Sequence, residues 1–516
     1  MPPTAASQRI APVTHAPPRP TKRAKSAPTD DKPNHNAPGD RSLSLTVRTE
    51  GCIVPPTARL VETCLRFGVP LEVAGRTIAD NLRVGLASGT ITLVTGPSGS
   101  GKSLLLRAIA RHIPDSRMVH AVPFPSDVSV IDAVAPTRPL YDALGILTAC
   151  GLGEPMLWIQ RFDQLSDGER FRARLARALS LQQRHASSAP LLCDEFGAIL
   201  HRRLARSLAF NLRKLVSRRR LCLVVATSQD DLADDLRPDH TIRLGGPSPI
   251  IEPGKAQAAA RAVSFAPRLR IERGTARDYE RFSPMHYRRR DQLGFVDRVF
   301  VMRDGSGGDP LGIVIYGHPL LEVSLRNRIT GSRFTRNAKR LNRELRVLKR
   351  LVIHPDVRGC GLGHWLVART LPLAGTRFVE CLAAMGAVNP IFDKAGMLRV
   401  GTIAVPPKRE RAVNRLRAAG ADPLALDFVA QVCRRPAVRR IVAASVQDWY
   451  SSTTGGSADR ASRLSPMALA QTFRQLAGSQ PVYFIWSGDN RGRQLIQAGL
   501  KRMEAGSEMQ DGVRNT

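Results

Sequence analysis

The stretch TITLVTGPSGSGKSLLLRAIARH, from Thr90 to His112, decides how the first half of the chain folds. Its beginning, TITLVT, has the apolar pattern of a buried strand, and its end, LLLRAIARH, has the pattern of a helix. Between them lies a glycine-rich loop whose backbone amides, with those of the helix N-terminus, would point at a bound phosphate. A Gly/Ser turn that matches by chance is the alternative. Strand, loop and helix nevertheless stand in the order that phosphate binding requires.

The residue types in this loop assign roles to its members. Lys102 would reach the β- and γ-phosphates of a nucleotide and support catalysis, and the Ser103 hydroxyl would ligate Mg²⁺. The predicted nucleotide-binding residues are Gly96, Pro97, Ser98, Gly99, Ser100, Gly101, Lys102 and Ser103.

Two acidic residues follow a second apolar strand, APLLCDEF. Asp194 is placed to hold the Mg²⁺ shell, and Glu195 is placed to polarise an attacking water, which are the acidic roles that phosphoryl transfer to water requires. A strand that ends in two acids is a weak signal alone. It gains weight because LSDGE, Leu165–Glu169, precedes it and opens the helical pattern RFRARLARALSL.

These motifs together resemble the ABC-type ATPases, whose signature loop LSGGQ is similar to LSDGE here. The resemblance covers residues 51–246 and implies an α/β P-loop NTPase domain that binds ATP and Mg²⁺ and hydrolyses ATP. In that family, the signature loop of one cassette closes over the nucleotide of a second, so the resemblance also implies a homodimer formed through this domain. The predicted signature-loop residues are Ser166, Gly168 and Glu169.

Two features differ from a transporter cassette. Only about sixty residues separate Lys102 from Ser166, so the helical subdomain that docks on membrane partners is shortened. Gln229 stands where the family has a switch histidine, which predicts slow or gated hydrolysis. An ABC transporter ATPase subunit therefore stays an alternative that these features disfavour.

A second glycine loop, Arg358-Gly359-Cys360-Gly361-Leu362-Gly363, stands between a predicted strand and a predicted helix. It resembles the pyrophosphate loop of the GNAT N-acetyltransferases, and Asn389–Met397 is similar to a later element of that family. The resemblance covers residues 269–405 and implies an α+β domain that binds acetyl-CoA through Arg358, Gly359, Cys360, Gly361, Leu362 and Gly363. Phe392 occupies the place of the family's usual tyrosine acid and cannot donate a proton.

Four other side chains are candidates for the proton chemistry of acyl transfer, because histidine, tyrosine and glutamate exchange protons when their pKa values are tuned. A surface histidine, a satisfied core residue or a paired carboxylate is the more common interpretation of each one singly. The candidates are His286, Tyr287, His354 and Glu380.

The segment from Arg326 to Arg350 carries ten Lys/Arg residues and a single acid, Glu344. Such a density of positive charge favours phosphates as neighbours, and therefore DNA or RNA as a partner. A solvated helix face in an arginine-rich protein is the alternative interpretation. Phe334 is the one aromatic residue within the segment, whereas surfaces that stack bases usually carry more.

The whole chain has 516 residues and a net charge of +33, which again favours a polyanionic partner. No apolar run is long enough to span a bilayer and the start lacks a signal-peptide core, so we expect a cytoplasmic protein without a membrane partner. The eight scattered cysteines do not favour zinc or disulfides. The predicted organisation is a disordered tail (1–50), the ATPase domain (51–246), a linker (247–268), the GNAT-like domain (269–405) and a mainly helical extension (406–516).

The sequence thus predicts an ATP-hydrolysing ABC-type domain fused to an acetyl-CoA-dependent acyltransferase-like domain that acts on or near nucleic acid. A nucleotide-switched nucleic-acid clamp with a catalytically silent acetyltransferase-like domain is the alternative that fits the substitution at Phe392.

Overall fold

A computed structural model describes residues 42–514, apart from 54, 74, 183–188, 255–261, 287–292, 306–307, 452–458 and 479. Positions 1–41 of the predicted disordered tail (1–50) lie outside the described residues. Its last part was wrongly assigned, because Ser42–Arg48 forms a strand that pairs antiparallel with Thr77–Gly85. Leu45 and Val47 of this strand are buried, which gives the segment the apolar surface that stabilises a strand.

Strands and helices alternate through the first part of the chain. The strands are β1 (Ser42–Arg48), β2 (Cys52–Ile53), β3 (Glu72–Val73), β4 (Thr77–Gly85), β5 (Ile91–Thr95), β6 (Arg117–Met118), β7 (Leu191–Cys193), β8 (Leu223–Thr227), β9 (His240–Arg243) and β10 (Ile250–Pro253). The helices are α1 (Ala58–Phe67), α2 (Lys102–His112), α3 (Val130–Val134), α4 (Leu140–Ala149), α5 (Pro155–Trp158), α6 (Asp167–Leu181), α7 (Arg202–Arg219) and α8 (Ala233–Leu236).

The main sheet of this part has the strand order β10-β9-β5-β8-β7-β6 among the described residues. Every residue of β5 is buried, as expected for a parallel strand that is covered on both faces. Ile91 and Leu93 of β5 belong to one apolar layer, which includes residues of α4, α6 and α7. Val94 belongs to the opposite layer, with residues of β1, β4 and α2. The sheet is therefore sandwiched between two cores.

Further strands and helices follow residue 268. The strands are β11 (Leu269–Gly274), β12 (Val296–Asp304), β13 (Pro310–Gly317), β14 (Leu345–Ile353), β15 (Phe378–Ala383), β16 (Leu398–Thr402) and β17 (Val482–Ser487). The helices are α9 (Tyr279–Phe282), α10 (Ser324–Ile329), α11 (Ala338–Glu344), α12 (Leu362–Thr370), α13 (Ile391–Lys394), α14 (Pro407–Ala418), α15 (Phe428–Arg434), α16 (Pro436–Ser451), α17 (Asp459–Ser462), α18 (Pro466–Gly478) and α19 (Asn490–Arg514).

These strands form a sheet in the order β11-β12-β13-β14-β15-β17-β16. Strand β17, from the predicted extension, lies between β15 and β16 and pairs antiparallel with both. The predicted boundary at residue 405 therefore runs through this sheet. Helices α14 to α18 precede β17 in the chain and share a core of their own, which contains Leu416, Phe428, Val442 and Phe473.

The chain divides into two compact units, of which the first is Met1–Gln292, Phe300–Ile313 and Val352–Gly363. The second unit is Leu293–Val299, Val314–Leu351 and His364–Thr516. Both predicted glycine loops, at residues 96–103 and 358–363, thus belong to the first unit. No helix within the described ranges is long and apolar enough to cross a membrane.

Candidate functional site

The first glycine loop joins β5 to α2, in the order that the sequence predicts. Gly96 and Gly101 have φ angles of 147° and 93°, which L-residues with a side chain rarely adopt. A Cβ atom on Gly96 would overlap the carbonyl oxygen of Leu244, and one on Gly101 would lie 2.6 Å from Cγ2 of Ile78. The loop therefore needs glycine at both positions to fold in this shape.

The groups around the loop fit a nucleotide phosphate. Lys102 Nζ donates to the carbonyl oxygens of Gly96 at 2.8 Å and Pro97 at 2.7 Å, so a positive charge lies across the loop. The Ser100 hydroxyl is buried and has no hydrogen-bond partner among the described residues. Helix α2 begins at Lys102 after a left-handed Gly101, which leaves its first amides facing the loop. An anion would satisfy both the hydroxyl and these amides.

The two predicted acids follow β7 in a tight turn. The Glu195 amide donates to Asp194 Oδ1 at 3.0 Å, and Glu195 has a left-handed φ of 50°. The Phe196 amide donates to the carbonyl oxygen of Ala226 at 2.9 Å, and the Thr227 hydroxyl donates to that of Phe196 at 2.9 Å. The turn is thus tied to the end of β8, and the Glu195 side chain is exposed. A strained, fixed backbone at an exposed acid is typical of a functional position.

The sheet brings the predicted loop and acids to one edge. Strand β8 pairs parallel with β5 on one side and with β7 on the other. The carboxyl ends of parallel strands meet at the same edge of a sheet, which is where α/β proteins bind ligands. Gly96 follows β5, Asp194 follows β7 and Gln229 follows β8, so the residues that would hold Mg²⁺ and the γ-phosphate share this edge. No hydrogen bond joins Ser166 to residues 96–103 within the described part of the chain.

Gln229, at the place of the switch histidine, is held beside the acidic turn. Its Nε2 donates to the carbonyl oxygen of Gly197 at 3.3 Å, while its Oε1 is buried without a hydrogen-bond partner in the described structure. Next to it, the Asp230 carboxylate accepts from the Thr95 hydroxyl at the end of β5. Sequence reasoning did not find Asp230 or Thr95, since nothing in the local pattern shows that β8 adjoins β5.

The predicted signature loop caps helix α6. The Ser166 hydroxyl donates to Glu169 Oε2 at 2.7 Å, and the Ser166 amide donates to the same oxygen at 2.9 Å. The Glu169 side chain thus satisfies the amide of the N-cap residue, as in a capping box, which stabilises the helix N-terminus. Ser166 is exposed, and Gly168 lies against the side chain of Leu200, which follows the acidic turn. Glu169 thus has a local role in holding the loop in addition to any contact with a nucleotide.

The second glycine loop is filled by side chains of the same compact unit. Gly359 has a φ of 84°, and a Cβ atom there would lie 2.5 Å from Asn211 Nδ2 on α7. The Cys360 thiol faces the carbonyl oxygen of Ser207 at 3.7 Å, and burial raises the pKa of this thiol to about 12. Asn211 Nδ2 also donates to the carbonyl oxygen of Arg358 at 3.3 Å. The glycine therefore gives α7 close access to this backbone.

The Arg358 side chain is engaged as well. It donates to the carbonyl oxygens of Ile353, Met285 and Gly153, and it pairs with Glu154 at 3.6 Å. Burial lowers its pKa, and Glu154 opposes that shift. A coenzyme A pyrophosphate does not fit the Arg358 donors in this arrangement, because protein oxygens already accept from all three nitrogens.

The predicted acyl-transfer side chains have separate local partners. Glu380 is buried on β15, where Arg326 Nη1 lies 3.1 Å from Oε1 and the Tyr483 hydroxyl donates to Oε2 at 2.9 Å. His354 Nδ1 accepts from the Asp356 amide at 3.3 Å, and burial lowers the pKa of His354 against the opposing charge of Asp356.

His286 follows α9, and its amide donates to the carbonyl oxygen of Ser283 at 3.2 Å. Tyr287 lies outside the described residues. Phe392 packs on Phe484 with ring centroids 5.3 Å apart, so the position of the missing acid is occupied by an apolar contact.

Several basic side chains of Arg326–Arg350 are paired with carboxylates. The pairs are Arg326 with Glu380, Arg333 and Arg343 with Glu344, and Arg346 with Asp297. The other six have no carboxylate partner among the described residues. Lys349 and Arg350 donate to backbone carbonyl oxygens, whereas four reach solvent without such a bond in the described structure, namely Arg328, Arg336, Lys339 and Arg340. The charge that remains available for a phosphate backbone is therefore concentrated between positions 328 and 340.

The described residues contain no group of three or more His, Cys, Asp or Glu side chains placed to hold a metal ion by themselves. A Mg²⁺ ion at the first glycine loop would accordingly take ligands from Ser103 and Asp194 together with nucleotide phosphates and water. This ligand set is the one expected for Mg²⁺, which keeps several waters and is bound by few protein groups.

Comparison with known proteins finds relatives among ATP-binding proteins. The tylosin resistance ATP-binding protein TlrC of Streptomyces fradiae is 34% identical over 157 residues, which are 28% of this chain and 27% of TlrC. The aliphatic sulfonates import ATP-binding protein SsuB 2 of Streptomyces avermitilis is 32% identical over 202 residues, which are 34% of this chain and 75% of SsuB 2. The chain thus spans about a quarter of TlrC and three quarters of SsuB 2. No protein-family model matches the chain.

Among solved structures, the dimeric structure of a bacterial ABC transporter cassette matches 36% of this chain and 94% of its own length. Its sequence identity to this chain is 19%, and the TM-score is 0.30.

Proposed function

The chain belongs to the family of ABC-type ATP-binding proteins, and we propose that its domain at residues 51–246 binds Mg²⁺-ATP and hydrolyses ATP. The loop at Gly96–Ser103 carries this proposal, since Ser100 Oγ and the first amides of α2 are donors that a phosphate would satisfy. Family membership and loop geometry together support nucleotide binding more directly than any other feature of the chain.

Different side chains of this domain would have different roles in hydrolysis. Lys102 would bind the β- and γ-phosphates, and Ser103 and Asp194 would ligate Mg²⁺, which neutralises the charge that develops on the phosphates. Glu195 would orient and deprotonate the attacking water, because its exposed side chain stands at the edge where the strands end. Gln229 would fix the turn after Glu195 through Gly197, in the place of the histidine that the family uses.

ATP-dependent dimerisation is part of the proposal. The signature loop is exposed at Ser166 and makes no hydrogen bond with residues 96–103 of its own chain in the described structure. One cassette per chain leaves this loop available to the nucleotide of a second copy, so Ser166 and Gly168 would act across a homodimer. ABC-type ATP-binding proteins are typically cytoplasmic, and we propose the same location for this chain.

We propose that the basic segment at positions 328–340 binds nucleic acid. Arg328, Arg336, Lys339 and Arg340 have no carboxylate among the described residues to neutralise them, so a phosphate backbone would release counter-ions on binding. This proposal treats the protein as a nucleotide-switched clamp. Acetyl-CoA-dependent transfer is the weaker candidate, because Phe392 is not an acid, Glu380 is buried in an ion pair and Arg358 is occupied by protein oxygens.

A transporter ATPase subunit is the second candidate function, and the observation in its favour is the import function in the name of the SsuB 2 relative. Large apolar side chains at Leu140, Tyr141, Met156 and Ile159 are more than half exposed and would suit a protein partner. Co-purification with an integral membrane protein would favour this candidate over the clamp.

The test of the leading proposal is steady-state ATP hydrolysis by the full chain with Mg²⁺, with and without duplex DNA or single-stranded RNA. We expect Lys102→Ala to lose turnover by at least about a hundredfold, since the lysine carries a charge that the transition state needs. Full turnover in Lys102→Ala would overturn the proposal for the ATP site.

The nucleic-acid part is tested by the triple variant Arg336→Gln/Lys339→Gln/Arg340→Gln. Removing three phosphate contacts should lower the slope of log affinity against log salt by about 2 to 3. The matched control, Lys408→Gln/Arg411→Gln/Arg415→Gln on α14, changes the net charge equally. Equal losses of affinity in the two variants would mean that overall charge, and not the segment at 328–340, holds the nucleic acid.

A further inference from the structure

The Arg358 guanidinium holds together three segments of the first compact unit. Its Nε donates to Ile353 O at 2.8 Å, its Nη2 to Met285 O at 3.0 Å and its Nη1 to Gly153 O at 3.3 Å. The side chain is 14% exposed. A planar guanidinium has its donors in a fixed fork, so three carbonyl partners define both its position and its orientation.

One of these partners leads to the signature loop. Gly153 lies two residues from Gly151, whose carbonyl oxygen accepts from Arg172 Nη1 at 2.5 Å. Arg172 is buried on α6, and its Nε donates to the carbonyl oxygen of Gly168 at 3.0 Å. Residues 151–153 therefore connect two arginines. Arg358 contacts Gly153, and Arg172 contacts both Gly151 and the predicted signature-loop residue Gly168.

The backbone beside Arg358 is fixed to a second part of the ATPase-like domain. Gly359 packs against Asn211 of α7, and its missing Cβ would lie 3.0 Å from the carbonyl oxygen of Thr148 on α4. Helix α7 begins shortly after the turn that carries Asp194 and Glu195. The loop at Arg358 thus lies between α7, which follows the acidic turn, and α4, which precedes the signature loop.

The contacts at Arg358 indicate which kind of group this loop accommodates. An anion cradle has donors that no protein group satisfies, as at Ser100, whereas here protein groups accept from the side-chain donors of Arg358 and fill the space over Gly359. Oxygen acceptors surround Arg358, and one of them is the Glu154 carboxylate, which would repel a phosphate. The loop is built to receive helices α4 and α7 and not an anion.

We infer that Arg358 is a positioning residue for ATP hydrolysis, which sets the signature loop through Gly153, Gly151, Arg172 and Gly168. This inference rests on the proposed ATPase function. In this inference Arg358 has no direct role in binding nucleotide or Mg²⁺. It fixes the loop at Gly151–Gly153, to which Arg172 donates a hydrogen bond, and Arg172 in turn fixes the carbonyl of Gly168. Loss of Arg358 leaves the residues that bind ATP intact and loosens the loop that would close over the nucleotide of the second copy.

The experiment compares Arg358→Gln with wild type in Mg²⁺-ATP hydrolysis and in equilibrium binding of a fluorescent ATP analogue. We expect kcat to fall about tenfold. A tenfold change corresponds to about 1.4 kcal/mol, which is close to the net free energy that one hydrogen bond of a charged group contributes. The dissociation constant of the analogue should stay within about twofold, since Gly96–Ser103 is unchanged. Arg358→Lys should restore part of kcat, because the ammonium keeps the charge but, being a single nitrogen, cannot reach all three carbonyl oxygens.

Arg303→Gln is the matched control. Arg303 belongs to the same compact unit, is 21% exposed and bonds Glu272, Asp278 and Gly308, and no hydrogen bond or ion pair among the described residues joins it to the signature loop. Equal losses of kcat in Arg358→Gln and Arg303→Gln, in step with equal losses of thermal stability, would overturn the inference in favour of a general structural role. Should Arg358→Gln fail to fold, Gly153→Ala replaces it, because a Cβ there would lie 3.3 Å from Arg358 Cδ and displace it slightly.

Two further outcomes separate this inference from the proposals it rests on. If the wild-type chain hydrolyses no ATP, the proposed function fails first, whatever the variants do. If wild type hydrolyses ATP and binds acetyl-CoA, and Arg358→Gln loses the acetyl-CoA but keeps its kcat for ATP, the loop is a coenzyme cradle and the inference is wrong.

Discussion

Replacing Glu380 by glutamine should destabilise the protein strongly, because Glu380 neutralises a fully buried arginine. Arg326 and Glu380 are 0% and 1% exposed, and 3.1 Å separates Nη1 from Oε1. The Arg326 Nε already has no hydrogen-bond partner in the described structure, so little remains to compensate the charge. Breaking one partner of a buried pair costs about 3–5 kcal/mol, and we expect the Glu380→Gln free energy of unfolding to fall by that amount.

Urea unfolding of the full chain, followed by circular dichroism, measures this loss. Tyr483→Phe removes one hydrogen bond to the same carboxylate and should cost about 1.5–3 kcal/mol. The double variant Arg326→Met/Glu380→Leu removes both charges and should be much closer to wild type than Glu380→Gln, because no charge is then left buried alone. An unchanged unfolding midpoint in Glu380→Gln, together with loss of an acyl-transfer activity, would refute the structural role and return Glu380 to the catalytic candidates.

Two other predictions concern the acidic turn and an ion pair in the second unit. Gln229→Ala removes the donor to Gly197 and should lower kcat for ATP about tenfold with little change in the KM for ATP, as measured in steady state. A KM that rises while kcat stays constant would show that Gln229 binds ground-state nucleotide instead. The hydrogen bond from Arg399 lowers the pKa of Asp393, so this pair stabilises the fold above the unfolded pKa and is lost as pH falls through the lower folded pKa. Asp393→Asn should therefore show less acid destabilisation than wild type below about pH 4 in thermal unfolding, whereas equal pH profiles would contradict the shift.

The local parts of the first site follow from the sequence. TITLVT is apolar throughout, and the structure has β5 at Ile91–Thr95 with every residue buried. The glycines at 96 and 101 mark backbone that other residues would clash with, and α2 begins at Lys102 directly after them. The information for this strand, loop and helix lies within about twenty residues, which is the range in which periodicity and turn chemistry determine structure.

What the sequence did not predict depends on pairings between distant residues. Strand β17 inserts between β15 and β16, and its run of buried residues reads equally well as a strand in any sheet. The Asp230 contact with Thr95 joins residues far apart in the chain and depends on the order of β5 and β8. Composition shows that Arg326–Arg350 is basic, but only the three-dimensional structure separates Arg326, which is buried on Glu380, from the exposed Lys339.

The two glycine loops show why a motif does not decide its own chemistry. Both lack side chains where the backbone must be approached closely, and close approach serves a phosphate and a packed helix equally well. At Gly96–Ser103 the hydroxyl of Ser100 is left without a protein partner, so the donors face a ligand. At Gly359 the amide of Asn211 stands where a ligand oxygen would, and Arg358 donates to protein carbonyls. The partner of the glycine backbone, and not the glycine pattern, therefore distinguishes a nucleotide site from a joint between helices.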